Sequence, residues 1–85
     1  MAHRADADFW DLYHKLPARV RKRADKAFAL LKASPDHPSL HFKKVGEKWS
    51  ARVDRSYRAI AIETDEGLLW VWIGSHDDYI REIAS

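Results

Sequence analysis

The sequence has no cysteine, only three glycines, and no long stretch free of charge. Without cysteine the chain can form neither a disulfide scaffold nor a thiolate metal site. Three glycines are too few for a glycine-rich phosphate loop, and no Gly-x-Ser-x-Gly nucleophile motif occurs. The longest segment without Asp, Glu, Lys or Arg, residues 67–76, is about half the length of a membrane-spanning helix. We therefore predict a protein without a transmembrane helix.

The beginning of the sequence also lacks the apolar run of a secretory signal. His3, Arg4, Asp6 and Asp8 lie where that run would be. We therefore expect a cytoplasmic protein, and the absence of cysteine is compatible with a reducing compartment. With 85 residues, of which 46% are hydrophobic and 33% charged, the chain is expected to form a single globular domain over residues 1–85.

The positive charge of the chain is small but concentrated in two segments. The formal net charge is +2, yet residues 17–34 contain six basic residues and one acidic residue. Residues 43–58 contain six basic and two acidic residues. Such segments favour an anionic partner, either a nucleic acid or an acidic protein segment, although a solvated helix face has the same composition.

The first half of the sequence has the periodicity of two helices. Apolar residues recur at helical spacing in two stripes: Phe9, Leu12, Tyr13 and Leu16, then Val20, Ala24, Ala27, Phe28 and Leu31. Pro17 is suited to the first turn of the second helix, and Pro35 and Pro38 end it. This pattern predicts a helical hairpin over about residues 6–34.

After Pro38 the apolar period becomes two, which is typical of strands. Alternating or apolar runs at 40–43, 49–53, 57–62 and 68–73 are separated by turn residues. The second half therefore predicts a sheet over about residues 39–75, followed by a short helix over about 77–83. The fold class is α+β, with the hairpin packed on a twisted, four-stranded and mainly antiparallel sheet. The segment before the hairpin, Ala2–Asp6, is a poor strand by propensity.

Arg58 is unusual because it interrupts an otherwise apolar strand. A buried guanidinium costs several kcal/mol unless it is paired or faces a cleft. Arg52 lies on the preceding strand, so both arginines can approach one rim of the sheet and clamp a phosphate. The alternative is a structural salt bridge with an acidic neighbour. The candidates are Asp54, Glu63 and Asp78.

The end of the last predicted strand carries a histidine suited to proton transfer. His76 follows Gly74 and Ser75, and Tyr79 lies one turn further if a helix capped by Ser75 begins here. Histidine is the side chain that changes protonation state near neutral pH. The alternative is that His76 lies at a helix end and Tyr79 in the core. No metal-binding spacing occurs, and we expect neither a metal nor another cofactor.

Several segments in order resemble the RelE/ParE superfamily of toxins from bacterial type II toxin–antitoxin pairs. These segments are the Phe9–Pro17 opening, the basic helix, "HPSLHFKKV", "WSARV", "YRAI" and "WIGSHDDY". The similarity extends over about residues 9–83. It implies a cognate antitoxin as partner. The RelE-like branch cuts ribosome-bound mRNA, whereas the ParE-like branch inhibits DNA gyrase without a catalytic set.

The resemblance to the RelE-like branch implies roles for individual residues. Arg58 matches the arginine that stabilises the transition state, and His76 and Tyr79 fall where that branch has acid/base residues. Lys43, Lys44 and Arg52 fall in the strands that hold the RNA backbone. Cleavage through the RNA 2′-OH needs a base, a cation and an acid. We therefore predict a ribosome-dependent mRNA endonuclease, with a gyrase inhibitor or a non-toxic antitoxin-binding module as alternatives.

The sequence departs from its relatives after the predicted hairpin. Some relatives use a glutamate there for proton transfer, whereas this chain has Asp36 and His37. Either residue is a candidate for the second proton-transfer group, and the alternative is that this segment supplies none.

Overall fold

A computed structural model describes residues 2–85, and within this range the chain forms an α+β fold. The strands are β1 (Ala2–Ala5), β2 (Lys43–Val45), β3 (Lys48–Asp54), β4 (Tyr57–Thr64) and β5 (Gly67–Ser75). The helices are α1 (Ala7–His14), α2 (Ala18–Ala33) and α3 (His76–Ala84), with a 3-10 helix at Pro38–Leu40. The fold class predicted from the sequence is confirmed. None of the helices in residues 2–85 is long and apolar enough to cross a membrane.

The sheet has the order β1-β5-β4-β3-β2, which corrects the expected number of strands from four to five within the described residues. The segment with poor strand propensity forms β1, which pairs in parallel with β5 from Ala2 opposite Gly67 to Ala5 opposite Trp70. The edge of β5 offers unpaired backbone groups, so weak propensity suffices for pairing. Gly67 makes the approach possible, because a Cβ there would collide with the carbonyl of Ala2.

The strand expected over residues 40–43 starts later than the alternation indicated. Pro38 begins the 3-10 helix, and the His37 imidazole accepts a hydrogen bond from the backbone N–H of Ser39 at 3.2 Å. His41 follows in the left-handed conformation, with φ of 45°. Strand β2 therefore begins only at Lys43.

Helices α1 and α2 cover one face of the sheet, which we call the hairpin face. Helix α1 packs on β5 and α2 packs on β3. The core between them contains residues from the α1–α2 connection, α2, the 3-10 helix, β3, β4 and β5. The buried members are Leu16, Val20, Ala24, Leu31, Leu40, Ala51, Ala59, Ala61, Leu68, Trp70 and Ile73. Asp6 caps α1 by accepting a hydrogen bond from the Phe9 N–H at 2.8 Å.

Helix α3 packs against β4 and β5. It covers the opposite face of the sheet, which we call the α3 face. Ile60 and Ser50 are only 2% and 1% exposed, and their places on the strands alternate with the hairpin-face alanines. The Lys48 ammonium donates to the carbonyl of Glu82 at 2.9 Å and so holds the end of α3 against β3. Strand β4, which carries Arg58 in its apolar run, lies in the middle of the sheet.

Candidate active site

Two arginines lie side by side on the α3 face and form what we call the arginine pair. Arg52 on β3 is the cross-strand partner of Arg58 on β4. Residues directly opposite in antiparallel strands share a face, and their Cβ atoms are about 5 Å apart. The Arg58 guanidinium lies over the Tyr79 ring, with 5.8 Å between its carbon and the ring centroid. Tyr79 belongs to α3, so the arginine pair lies on the face that α3 covers.

The arginine pair has no internal counter-ion within residues 2–85. The three carboxylates considered as partners pair elsewhere. Asp54 lies 3.9 Å from Arg23, Glu63 lies 3.0 Å from Lys44, and Asp78 pairs with Arg81.

The side chain of Arg58 is also incompletely satisfied. Its Nε is buried and has no hydrogen-bond partner within the described part of the chain. Like charges directly across a strand pair are destabilising, and a buried donor without a partner costs about 1–3 kcal/mol. An anion from outside the protein, held by both guanidinium groups, would relieve the repulsion between the two like charges.

Helix α3 brings His76 and Tyr79 to the arginine pair. The Ser75 side chain caps this helix, as predicted, by accepting a hydrogen bond from the Asp78 N–H at 3.2 Å. His76 and Tyr79 lie one turn apart, with ring centroids separated by 5.8 Å. The His76 N–H donates to the carbonyl of Ser56 at 2.8 Å, which ties the start of α3 to the turn between β3 and β4.

A cavity of about 420 Å³ opens between that turn and the start of α3. The residues that line it are Arg55, Ser56, Tyr57, Arg58, Ser75, His76 and Asp77. Sequence reasoning missed Arg55 and Asp77 as neighbours of the site. No local sequence signal marks them, because it is the pairing of Tyr57 with Ser75 that places the β3–β4 turn beside the end of β5.

The two lysines predicted to bind RNA lie on opposite faces of the sheet. Lys43 is opposite Ser50, which places it on the α3 face with Arg52, whereas Lys44 is opposite Trp49 on the hairpin face. The Trp49 indole donates to Glu63 at 2.8 Å, and this bond, followed by the nearby Lys44, lowers the pKa of the Glu63 carboxyl. The structure therefore brings Lys43, but not Lys44, together with the arginine pair.

No cluster of metal-binding side chains is present among residues 2–85. His37 and His41, which lie four residues apart in the sequence, point to different partners. The Nδ1 atom of His37 lies 2.8 Å from the hydroxyl of Ser39, whereas the Nε2 atom of His41 lies 3.5 Å from Nη1 of Arg52. Asp36 is exposed. The groups that the structure brings together here are the arginine pair, His76 and Tyr79.

Such a site can bind a phosphodiester and transfer protons to it. Two guanidinium forks can hold the non-bridging phosphate oxygens, and an imidazole beside them can act as acid or base. A cysteine or serine nucleophile is not needed if the substrate carries its own hydroxyl, as RNA does.

A family model described as the ParE-like toxin domain matches residues 18–81. This match covers more than half of the chain, and it includes the arginine pair, His76 and Tyr79. A comparison with curated protein sequences found no significant match.

Solved structures of toxins share the fold. The RelB–RelE antitoxin–toxin complex from Methanococcus jannaschii matches with a TM-score of 0.71 and 13% identity, covering 93% of this chain and 96% of that one. The YoeB/ParE toxin from Agrobacterium tumefaciens has a TM-score of 0.67, 18% identity, and coverages of 89% and 99%. The toxin–antitoxin complex RelBE2 from Mycobacterium tuberculosis has a TM-score of 0.63, 22% identity, and coverages of 88% and 96%.

The family model and the shared fold agree with the resemblance deduced from the sequence motifs. They confirm that this chain belongs to the ParE-like toxin domain family of the RelE/ParE superfamily.

Proposed function

We propose that this protein is the toxin of a type II toxin–antitoxin pair and that it cleaves ribosome-bound mRNA. The observation that carries the proposal is the arginine pair, which has no internal counter-ion within residues 2–85 and lies close to His76 and Tyr79. Family membership supports the toxin assignment. This function would place the protein in the cytoplasm, where its substrate is made and read.

The geometry favours a phosphodiester as the anion. Arg52 and Arg58 present two planar forks on adjacent strands, an arrangement that matches the oxygens of one phosphate better than a single carboxylate. Lys43, on the same face, adds a point charge further along the sheet, where the next phosphate of a strand would lie. An extended RNA strand crossing β2, β3 and β4 would meet these charges in turn.

In the proposed reaction the 2′-oxygen of the RNA attacks the adjacent phosphorus. Arg58 stabilises the charge that develops on the phosphate oxygens, with Arg52 as a second donor. His76 takes the 2′-proton or delivers a proton to the leaving 5′-oxygen. Tyr79 holds the Arg58 guanidinium by a cation–π contact, with 5.8 Å between the guanidinium carbon and the ring centroid.

Primer extension on a defined mRNA in a purified translation reaction tests the proposal. We expect cuts at defined positions that require ribosomes and disappear with Arg58→Ala and His76→Ala. Arg4→Ala is the matched control, because Arg4 is exposed on β1 and pairs with Glu66 at 2.7 Å. Intact mRNA with the unaltered protein would contradict the proposal, as would cleavage that persists in both site variants.

We further propose a cognate antitoxin as the protein partner, and the hairpin face offers a surface for it. An almost wholly apolar cleft of about 190 Å³ lies between α1, α2 and the sheet. Trp10, which is 46% exposed, lines this cleft, and α2 carries the basic segment found in the sequence. An acidic segment with a large apolar side chain complements both features.

Co-expression with the neighbouring open reading frame tests the antitoxin proposal. We expect a stable complex, a higher Tm than for the chain alone, and weaker binding by Trp10→Ala. The matched control is Ile80→Ala, because Ile80 is also exposed but lies on α3, away from the cleft. An unchanged Tm on co-expression would contradict this partner.

Inhibition of DNA gyrase is the second candidate function, and it is favoured by the ParE-like description of the matching family model. It predicts loss of gyrase supercoiling activity with intact mRNA, and toxicity that survives Arg58→Ala. A supercoiling assay run beside the mRNA assay separates the two functions. Harmless expression of the chain alone would instead indicate a non-toxic antitoxin-binding module.

A further inference from the structure

His41 adopts a backbone conformation that most residues avoid. It ends the 3-10 helix with φ of 45° and ψ of 38°, in the left-handed region that only a few per cent of non-glycine residues occupy. The backbone N–H of His41 donates to the carbonyl of Pro38 at 3.3 Å, which fixes this turn. Conformations of this kind cluster at functional sites, where the surrounding structure maintains them.

The left-handed turn directs the His41 side chain to the arginine pair. Its Nε2 atom lies 3.5 Å from Nη1 of Arg52, which is the cross-strand partner of Arg58. Arg58 in turn lies over Tyr79, beside His76. The α3 face therefore carries a row of side chains with an imidazole at each end and the arginine pair between them.

A phosphodiester cleavage through the 2′-OH needs two proton-transfer groups, on opposite sides of the phosphorus. His76 supplies one of them, at the α3 end of the row. The sequence suggested His37 or Asp36 as the other, but the His37 imidazole is bound to Ser39. The described structure gives neither His37 nor Asp36 a contact with the arginine pair, whereas it gives one to His41.

We propose that His41 is the second proton-transfer residue of the site, acting on the side of the phosphate opposite His76. This inference rests on the proposed mRNA cleavage. His41 lies two residues before β2 and His76 directly follows β5, and these two strands are three strand spacings apart in the sheet, about 14 Å. A phosphate held by the arginine pair lies between the two side chains.

In the proposed reaction each of the two histidines carries out one proton transfer. One neutral imidazole accepts the proton of the 2′-OH while the 2′-oxygen forms a bond to phosphorus. The bond from phosphorus to the 5′-oxygen breaks, and the other imidazole, in its protonated form, donates a proton to that oxygen. The products are a 2′,3′-cyclic phosphate and a free 5′-hydroxyl, and no redox partner or metal is required.

The test compares His41→Asn and His76→Asn in single-turnover cleavage of ribosome-bound mRNA. Asparagine is the matched replacement at His41 because it tolerates the left-handed conformation but cannot transfer a proton near neutral pH. His14→Asn is the control, because His14 is exposed on α1, on the other side of the sheet. A second mRNA carries sulfur in place of the bridging 5′-oxygen at the cleavage position, since a thiolate leaves without protonation.

We expect His41→Asn to slow cleavage of ordinary mRNA by about 10²–10⁴-fold while ribosome affinity is kept. With the sulfur substrate, the cleavage rate should be restored in only one of His41→Asn and His76→Asn. That variant is the one that lacks the general acid, and the other should remain slow. His41→Gly should fold at least as stably as the unaltered protein, since glycine suits this backbone, and yet cleave as poorly as His41→Asn.

Three results would overturn the role of His41. They are cleavage by His41→Asn within about threefold of the unaltered protein, a loss of ribosome affinity that accounts for the slower cleavage, and restoration of both or neither variant by sulfur. In each case cleavage by the unaltered protein keeps the proposed function intact. Absence of cleavage by the unaltered protein would instead remove the proposed function and this inference together.

Discussion

The two faces of the sheet differ in the side chains that they receive from neighbouring positions of the same strand. On β4, Ala59 and Ala61 point to the hairpin face and are buried in the apolar core. Arg58, one position before Ala59, points to the α3 face and has no counter-ion within residues 2–85. Because side chains alternate along a strand, one short segment supplies both the stability of the domain and its charged site.

The charged groups of the site lower the stability of the fold that holds them. Two adjacent cations and a buried donor destabilise the α3 face when no anion is bound. The apolar packing of α1 and α2 on the hairpin face offsets this cost. Substitutions on the hairpin face should therefore change mainly stability, and substitutions around the arginine pair should change mainly activity.

The largest effect on stability is expected from the hairpin face, at Trp70. This side chain is 3% exposed and lies in the centre of the core, so Trp70→Ala should lower the free energy of unfolding by about 3–5 kcal/mol. Urea or thermal unfolding measures the change. Trp10→Ala, at an exposed tryptophan, should cost less than about 1 kcal/mol, and equal losses for both variants would contradict the comparison.

The opposite behaviour is expected of Arg58 on the α3 face. Arg58→Met should slow mRNA cleavage by about 10²–10³-fold, because a donor to the transition state is lost. The same change should leave the free energy of unfolding unchanged or raise it by up to about 1 kcal/mol, because a repulsive pair and an unsatisfied donor are removed. Cleavage kinetics and denaturation on one preparation check both parts. A clear loss of stability would show that Arg58 holds the fold.

Two adjacent lysines, Lys43 and Lys44, should show a smaller difference between the two faces, in RNA binding. Lys43→Ala should weaken RNA binding and lower the slope of log affinity against log salt by about one, since one phosphate contact is lost. Lys44→Ala should keep that slope and change the Tm only slightly, because the exposed Lys44 pairs with Glu63 on the hairpin face. Binding titrations at several salt concentrations compare the two variants. Equal slopes would mean that RNA contacts both faces.

The smallest effect on stability is expected from His3 on the edge strand β1, whose ring lies on the hairpin face beside Trp70. The Trp70 indole donates to Nδ1 of His3 at 3.1 Å, and this bond needs a neutral imidazole. Burial, followed by nearby positive charges that include Lys32, lowers the pKa of His3. The stability from this bond is therefore complete above the unfolded pKa and is lost as pH falls through the lower folded pKa.

Thermal melting between about pH 7.5 and 5 measures the His3 contribution. The Tm should fall by a few degrees toward the acidic end, and His3→Phe, which keeps a ring against Trp70, should reduce that dependence. A Tm that stays constant or rises on acidification would show that protonation of His3 does not destabilise the fold.

Local sequence features predicted those parts of the site whose placement depends only on their own strand or helix. The apolar run around Arg58 indicated a charge in an otherwise apolar strand, and the Ser75 cap placed His76 and Tyr79 one turn apart. Contributions from distant segments were harder to predict. Arg55 reaches the site only through the register of β4 with β5, and His41 only through a left-handed turn. Neither feature has a strong local signature.

The sequence by itself determined the order of the helical hairpin, the antiparallel strands and the terminal helix, because apolar periodicity and proline positions act over a few residues. Family membership followed from the same motifs. Only the tertiary structure decided that Ala2–Ala5 is a strand, that Lys43 and Lys44 face opposite ways, and that the acids near the arginine pair are engaged elsewhere. Those outcomes depend on pairing and charge neighbours that are distant along the chain, and a local pattern does not carry that information.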